Sequence, residues 1–306
     1  MIPGRDPLRD QFKGLIARWC PSDGVHASPV PGISCIKVSR PDQRAKRHWR
    51  ASFCIVAQGT KEILLEGQVY REREPHYIVS PIDLPVTSRV AGVSPAQPFL
   101  CLKMDFDAAA LREVAAQLDR ARPDDVEHPG RAIFIGKASD RMLDAAIRLG
   151  ALFMTPDDAT VLAPLVTKEL IFHLLKGPDG PAIRQLVRAG SQAHRIAEAV
   201  YHLQASLDED VDIAALARAA GMSRAAFFKR FKEATAMSPL QYQKRLRLLE
   251  ARRLMVEEGM GAEASAFRVG YTSASQFSRE YSRMFGNSPL RDARALKRTA
   301  AVVQDM

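Results

Sequence analysis

A stretch near the C-terminus occurs twice, and this repeat constrains the chain more than anything else in its 306 residues. The first copy runs Leu216-Ala217-Arg218-Ala219-Ala220-Gly221-Met222-Ser223-Arg224-Ala225-Ala226-Phe227-Phe228-Lys229-Arg230-Phe231. The second runs Ser265-Ala266-Phe267-Arg268-Val269-Gly270-Tyr271-Thr272-Ser273-Ala274-Ser275-Gln276-Phe277-Ser278-Arg279-Glu280-Tyr281. One extra residue in the second turn moves the offset from 49 to 50, and both copies close with Ser-Pro-Leu, at 238–240 and 288–290. Two segments of matched pattern must fold as two equivalent units, each too short to be anything but a helical hairpin.

Each position has a mechanical role. Ala217 and Ala266 are small where a first helix has to approach a second. Gly221 and Gly270 supply the permissive backbone of a tight turn. Ser223 and Thr272 are suited to cap the following helix, and Ser-Pro restarts a helix with serine as cap and proline in the first turn. Phe227/Phe231 and Phe277/Tyr281, four apart, anchor the second helix inward. The opposite face is then free. With the caps it offers Ser223, Arg224, Ala225, Phe228, Lys229 and Lys232 in the first copy. In the second it offers Thr272, Ser273, Ala274, Ser275, Ser278, Arg279 and Arg283. Arg and Lys suit guanine edges or phosphates, and serine or apolar groups suit other contacts in a major groove. The plainer alternative is that any helical hairpin carries solvated bases on its outer face; two copies in step favour the helix-turn-helix.

Between the copies, Ser238 to about Glu257 reads as one helix with Tyr242, Leu246 and Leu249 on one side. Lys244, Arg245, Arg247, Arg252 and Arg253 form a basic set on the same rod. At ~1.5 Å per residue it spans roughly 27 Å, enough to set two reading helices about one DNA turn (~34 Å) apart. These residues closely resemble the C-terminal domain of the AraC/XylS family of bacterial regulators over about 193–297. The likeness rests on the Gly-x-Ser turn, on Arg-Leu-Arg-Leu-Leu-Glu-Ala-Arg-Arg-Leu at 245–254 and on Phe-Gly-Asn-Ser-Pro at 285–289. Ala264 and Ser265 depart from it, standing where the family usually has larger aliphatic residues.

Residues 30 to about 104 read as β-rich. Short apolar runs at 52–57, 62–65, 69–70, 77–79 and 99–104 are separated by Gly59, Gly67, Pro75, Pro81, Pro85 and Pro98, the spacing of a small sandwich or barrel. Helical patterns follow at 108–118, with Asp107 as cap, and at about 138–153 and 159–176. The Gly177-Pro178-Asp179-Gly180 cluster and Ala189-Gly190-Ser191 mark a boundary. The expected fold class is therefore α+β, with residues 1–185 as one domain and 186–306 as an all-α domain. Phe53–Lys61 and Tyr77–Val86 resemble the N-terminal domain of a subgroup of the same family, over about 25–185. That resemblance implies a cupin-like β-barrel with packed helices, serving effector binding and dimerisation.

The formal charge is +9, and residues 191–306 hold 18 Lys+Arg against 13 Asp+Glu, which suits a polyanionic partner without proving one. No signal pattern and no apolar run near ~20 residues is present, so the expected location is the cytoplasm, with the nucleoid, and no membrane. Cys20, Cys35, Cys54 and Cys101 contain no C-x-x-C pair and read as reduced thiols, Cys54 and Cys101 being buried in strands. His26, His48, His76 and His128 are scattered, without the His and Glu cluster a metal-bearing barrel needs. No nucleophile–base constellation appears either, so no enzyme and no cofactor are expected.

One stretch stands out in the front half. Arg40 to Arg50 holds five bases and one acid: Arg40, Arg44, Lys46, Arg47 and Arg50, with Trp49 among them. Arginine binds phosphate bidentately and stacks on flat π systems. The Arg-x-x-x-Arg spacing resembles half of the signature by which PilZ domains hold cyclic di-GMP, while the Asp/Asn-x-Ser-x-x-Gly half is absent. A solvated loop or an extra DNA-phosphate contact stays open as the alternative. The expected protein is a homodimeric regulator of double-stranded DNA under a small anionic effector, cyclic di-GMP or another phosphate-bearing ligand, with RNA polymerase as a further partner. The alternative is a ligand-independent regulator whose front half only dimerises.

Overall fold

A computed structural model of the chain describes residues 6–41, 45–72, 75–121 and 131–304. A helix opens it, α1 (Pro7–Trp19), which the sequence pattern did not single out. Nine strands follow among the described residues: β1 (Gly24–Ala27), β2 (Ile33–Val38), β3 (Ala45–Trp49), β4 (Ser52–Gln58), β5 (Thr60–Leu65), β6 (Gln68–Tyr70), β7 (His76–Ser80), β8 (Leu84–Ala91) and β9 (Phe99–Asp105). Then come α2 (Ala108–Ala121), β10 (Phe134–Lys137), α3 (Asp140–Ala151), a 3-10 turn (Leu152–Met154), α4 (Pro156–Lys176) and α5 (Gly180–Val187).

The strands make two antiparallel sheets, of order β1-β2-β9-β4-β7-β10 and β3-β8-β5-β6. The larger sheet is the middle layer. Along β4, Phe53, Ile55 and Ala57 join a core with α1, α3 and α4, while Cys54 and Val56 join a second core against the smaller sheet. β9 divides in the same way, with Leu100, Leu102 and Met104 on one side and Phe99 and Cys101 on the other. Strands buried on both faces read as unbroken apolar runs, which is why β4, β7 and β9 were visible in the sequence. The resemblance implied a barrel. Instead the two sheets share no ladder among the described residues, and stack as an open pair with helices on the outer face of the larger one.

All four cysteines are buried free thiols. Asp107 caps α2 as expected, accepting from the amides of Ala109 and Ala110 at 2.8 and 3.1 Å. α4 begins three residues before the periodic pattern, because Pro156 fills its first turn and Asp157 and Asp158 face the positive end of its dipole. Among the described residues no helix is long and apolar enough to cross a membrane.

Everything beyond is helical: α6 (Gln192–Ala205), α7 (Ile213–Ala219), α8 (Arg224–Thr235), α9 (Pro239–Glu257), α10 (Ala262–Arg268), α11 (Ala274–Phe285) and α12 (Pro289–Gln304). The core between the sheets does not stop at the front half. It continues through Ile82, Leu84, Ile196 and Val200 into Phe227, Phe231, Tyr242 and Leu246. A separate third core holds Leu248, Ala251, Leu254, Ala266, Phe277 and Tyr281.

Tyr242 marks the weld. Its hydroxyl donates to the Asp83 carbonyl oxygen and accepts from Gln204 Nε2, both at 2.7 Å, and its ring meets Phe231 edge-on at 5.6 Å. Burial holds its phenol well above the usual range, so it stays a neutral donor. Tyr242→Phe keeps the ring and strips both hydrogen bonds. The expected cost is ~1–3 kcal/mol, read as a lower urea midpoint at unchanged slope. An exposed control, Leu240→Ala, is expected within ~0.5 kcal/mol of the parent.

Candidate nucleic-acid interface

The two copies of the repeat fold into two superimposable hairpins, α7–α8 and α10–α11. In each, the amide after the turn glycine donates to the carbonyl of the small alanine in the first helix: Met222 to Ala217 at 2.9 Å, Tyr271 to Ala266 at 3.0 Å. The glycine amides donate to Arg218 and Phe267 in the same way. Gly221 and Gly270 have φ of 63° and 86°, the left-handed region that glycine occupies without penalty. The anchors are inside as expected. Phe227 and Phe231 lie 5.7 Å apart, Phe277 and Tyr281 5.4 Å, and all four are fully buried. Ser265 is also fully buried, and its hydroxyl has no hydrogen-bond partner among the described residues, so the departure from the family pattern leaves a polar atom unpaired among them inside the second unit.

The caps need one correction. Ser223 Oγ accepts from the Ala226 amide at 3.2 Å, as expected for α8. In the second unit the cap is Ser273, accepting from the Gln276 amide at 3.3 Å, and Thr272 lies one residue earlier, exposed. The extra residue of the second turn displaces the cap by one. Both serine oxygens thereby accept from the amides of their own helices, with the O–H donors not used in the cap.

On the outward faces, Arg224, Ala225, Lys229 and Lys232 are exposed on α8, and Ser275, Arg279 and Arg283 on α11. Phe228 and Ser278 sit at the flank, half-buried. Phe228 packs against the shared core, and the Arg224 guanidinium lies 5.9 Å over its ring, so Phe228 serves as a prop for Arg224. Gln276, exposed one turn before Glu280, was passed over in the sequence reading. Its amide suits the adenine edge, and the same periodicity that selected Arg279 would have selected it. Arg283 stands apart, because it lines a cavity between α11 and the front half.

The basic rod is one helix, as expected. α9 has its five cations, each with a partner within the chain. Lys244 pairs with Glu280 at 2.9 Å, Arg245 with Glu66 at the tip of the β5–β6 hairpin, and Arg253 with Glu250 at 2.7 Å. Arg247 donates to the carbonyl oxygens of Leu207, Glu209 and Gly270. Arg252 grips the buried Asp292 with two nitrogens at 2.7 and 3.1 Å, and Tyr281 donates to the same carboxylate at 2.8 Å. The rod therefore ties the two units together, with Lys244 and Arg253 remaining exposed.

The arginine-rich stretch of the front half is not gathered into one cradle. Arg44 lies outside the described residues. Arg40 is exposed, and Trp49 is buried between the sheets with Lys61 Nζ 4.6 Å from its ring centre, so its face is taken. Lys46, Arg47 and Arg50 border a broad cleft of about 1170 Å³ against α6 and α9, whose wall also carries Glu250, Glu257 and Glu258. Lys46 turns toward a second cavity, of about 470 Å³, where it and Arg245 stand beside Leu64, Val86, Leu248 and Met284. Its ammonium donates to the Met284 carbonyl of α11. Burial first, then the nearby Arg245 and Arg252, pull its pKa below the ordinary lysine value.

The turn glycines differ in what surrounds them. A Cβ on Gly270 would overlap the Asp208 carbonyl and the Arg247 guanidinium, whereas one on Gly221 meets only Arg195 Nη1 at 3.4 Å. Gly221→Ala is expected to cost only backbone strain, ~1–2 kcal/mol. Gly270→Ala is expected to exceed that clearly and to loosen the second unit. Chemical denaturation of the two variants side by side checks the order.

Residues 29–182 match the family described as AraC-type transcriptional regulator N-terminus, and residues 216–295 match a helix-turn-helix domain. Among relatives, the HTH-type transcriptional regulator ArgR of Pseudomonas aeruginosa is 26% identical over 149 residues, covering 48% of this chain and 45% of its own length. The match to GbdR of the same species, 32% identical, spans 34% of this chain and 28% of GbdR. The chain thus spans less than half the length of either. ExsA, also of P. aeruginosa, is 23% identical over 240 residues, 75% of this chain and 84% of ExsA. ToxT of Vibrio cholerae O395, solved with (E)-4-(8-methylnaphthalen-1-yl)but-3-enoic acid bound, superposes with a TM-score of 0.55 at 8% identity, covering 85% of this chain and 98% of ToxT, a likeness of fold. ToxT of strain SCE256 with an unsaturated fatty acid bound gives 0.50 at 11%, over 86% and 93%. With a front half that matches the AraC-type N-terminus and a C-terminal part built of two helix-turn-helix units, the chain belongs to the AraC/XylS family of DNA-binding transcriptional regulators.

Proposed function

We propose that this regulator reads double-stranded DNA with α8 and α11 in two successive major grooves, under control of a small anionic effector held between its halves. Residues 1–185 act as the effector and dimerisation domain and 186–306 as the reading domain, in a cytoplasmic homodimer that regulates transcription by RNA polymerase and catalyses no reaction. The observation that carries the DNA reading is the pair of equivalent exposed faces. Ala225, Ala226 and Lys229 on one occupy the places of Ser275, Gln276 and Arg279 on the other, with Arg224 and Lys232 beside them on α8. The two units are joined by a 19-residue helix, ~28 Å at ~1.5 Å per residue, against ~34 Å for one DNA turn. Thr272 and the amide ends of the two helices meet phosphate.

Arg279→Ala and Lys229→Ala are each expected to weaken binding to a duplex selected from random sequence. A base-reading side chain costs ~1–3 kcal/mol at one base position only. A phosphate contact weakens all sequences alike and makes the salt dependence shallower by about one ion. Loss of neither kind in both variants overturns the assignment of these faces.

For the effector, the cavity beside Lys46 fits a carboxylate with an apolar tail better than a cyclic dinucleotide. About 470 Å³ lies within the range of small-molecule sites, and its wall combines Leu64, Val86, Leu248 and Met284 with Lys46, Arg283 and the ion pairs Arg245–Glu66 and Lys244–Glu280, so Lys46 and Arg283 are the cations left for an anion. An anion there relieves the mutual repulsion of Lys46, Arg245 and Arg252. The fatty acid in ToxT is consistent in chemistry. Cyclic di-GMP wants exposed stacking faces, and Trp49 offers none. The measurement is calorimetric titration of the full chain with oleate and, separately, with cyclic di-GMP. Oleate is expected to bind and to lose at least tenfold in Lys46→Ala. Heat from neither, with promoter affinity unchanged by both, favours the ligand-independent regulator instead.

A further inference from the structure

The two helix-turn-helix units differ at one pair of matched places. The second carries Gln276 and Glu280, four residues apart on α11, where the first carries Ala226 and Arg230 on α8. Gln276 is exposed on the outward face, and its Nε2 donates to Glu280 Oε1 at 3.3 Å. A glutamine and an acid at this spacing are ordinary neighbours on a helix, and on an open surface such a pair is loose. What sets this pair apart is how Glu280 is held. Lys244 of α9 donates to the same oxygen at 2.9 Å, and the Tyr271 hydroxyl donates to Oε2 at 2.9 Å. The Glu280 side chain is only 16% exposed. Burial opposes its charge, but the hydrogen bonds from Lys244, Tyr271 and Gln276 outweigh it and hold the carboxyl below the ordinary value. Burial pushes the Tyr271 phenol well above its usual range, so it remains a donor. Glu280 is therefore a fixed, ionised group that only accepts.

That settles which way the amide of Gln276 faces. An amide has an acceptor oxygen and two N–H donors, and a carboxylate takes only donors. The nitrogen therefore turns toward Glu280, and one N–H is spent there. One N–H and the oxygen are left for a groove. A donor beside an acceptor is the complement of the adenine edge, where N7 accepts and N6 donates. Guanine offers two acceptors at the same place, N7 and O6, and a free glutamine meets them by giving both its N–H groups. The anchored amide lacks the second donor and would set its oxygen against O6.

We propose that Glu280 is a positioning residue that makes Gln276 select adenine over guanine at one place in the second half-site. The assignment rests on the reading of α11 as a major-groove helix and names the base it discriminates. It also makes the two half-sites unequal. Ala226 gives the first unit no such reader at the matched place, and Arg230 turns to Glu233 at 3.4 Å.

Fluorescence anisotropy of the full chain tests it, with a duplex selected from random sequence and every single-base variant of its second half-site. One position is expected to prefer adenine over guanine by ~10-fold or more. Gln276→Ala levels that position alone. Glu280→Gln can donate to the glutamine oxygen as well as accept from its nitrogen, so the amide is free to turn. The adenine preference is then expected to fall to within about threefold at that position, with the others unchanged. Leu254→Ala, which opens a cavity in the core of the same unit, lowers the melting temperature and weakens all sequences alike. A preference that Glu280→Gln leaves intact overturns the positioning role. So does a loss at every position together, the pattern of a loosened unit. Any base other than adenine preferred where Gln276→Ala acts overturns the adenine assignment. If Gln276→Ala moves no position while Arg279→Ala still weakens binding, this inference falls and the α11 face stands. If neither variant has an effect, the α11 reading falls with it.

Discussion

Both helix-turn-helix units depend on α9. Tyr242 and Leu246 near its start sit in the core that the front half shares with the first helix-turn-helix unit. Leu248, Ala251, Leu254 and Met255 further along close the separate core of the second. One helix thus belongs to two hydrophobic clusters and joins the two helix-turn-helix units. Such a rod has to be rigid at both ends. Ser238 and Gln241 cap the start reciprocally, with Pro239 in the first turn, and near the far end Arg252 locks onto Asp292 of α12. Asp292 is nearly buried, so removing either partner strands a charge in a poor solvent, and the pair has more value as a fixed angle between helices than as net stability.

How far this was legible in the sequence depends on the kind of signal. The repeat gave the small alanines, turn glycines and aromatic anchors correctly, because each answers to a local steric demand that two copies state twice. The second cap slipped from Thr272 to Ser273, since both residues can cap and only the geometry of a turn one residue longer chooses between them. Strands buried on both faces were found from their apolar runs. β3 was not: its Ala-Lys-Arg-His-Trp reads as a basic loop, and only pairing with β8 makes it a strand. The expected effector stretch shows the same limit: Trp49, the last residue of β3, went into the core, while Arg47, two residues earlier on the same side of the strand, stayed exposed beside the cleft that Lys46 and Arg50 also border. The partners of the α9 cations were out of reach for a related reason. Composition counts charges, but it cannot see Glu66, Asp292 or the carbonyls of 207, 209 and 270 waiting for them.

The two helix-turn-helix units are alike inside and unlike in their attachment. The first is welded to the front half by continuous apolar packing and the Tyr242 hydroxyl. The second touches the front half through polar groups: Lys46 on the Met284 carbonyl, and Arg252 at 3.4 Å from the Lys46 carbonyl. Apolar packing over a shared core yields only at the cost of unfolding, whereas a hydrogen bond to a carbonyl exchanges for another acceptor at little net cost. A signal from the front half therefore has a natural target in the second unit.

Lys46 is where that exchange would act on the proposed reading. Its ammonium is crowded by two guanidiniums and satisfied by a neutral carbonyl, a weak acceptor for a charge in this setting. A carboxylate entering the cavity is a stronger one. By taking the ammonium from Met284 it would free the C-terminal end of α11, whose Arg283 borders the same cavity, and leave the first unit where the core holds it. The coupling would then appear as a change in how firmly the second half-site is held, with the first unaffected. A coupling of ~1–3 kcal/mol is typical of such linkage, and exchange of one acceptor for a charged one is of that order.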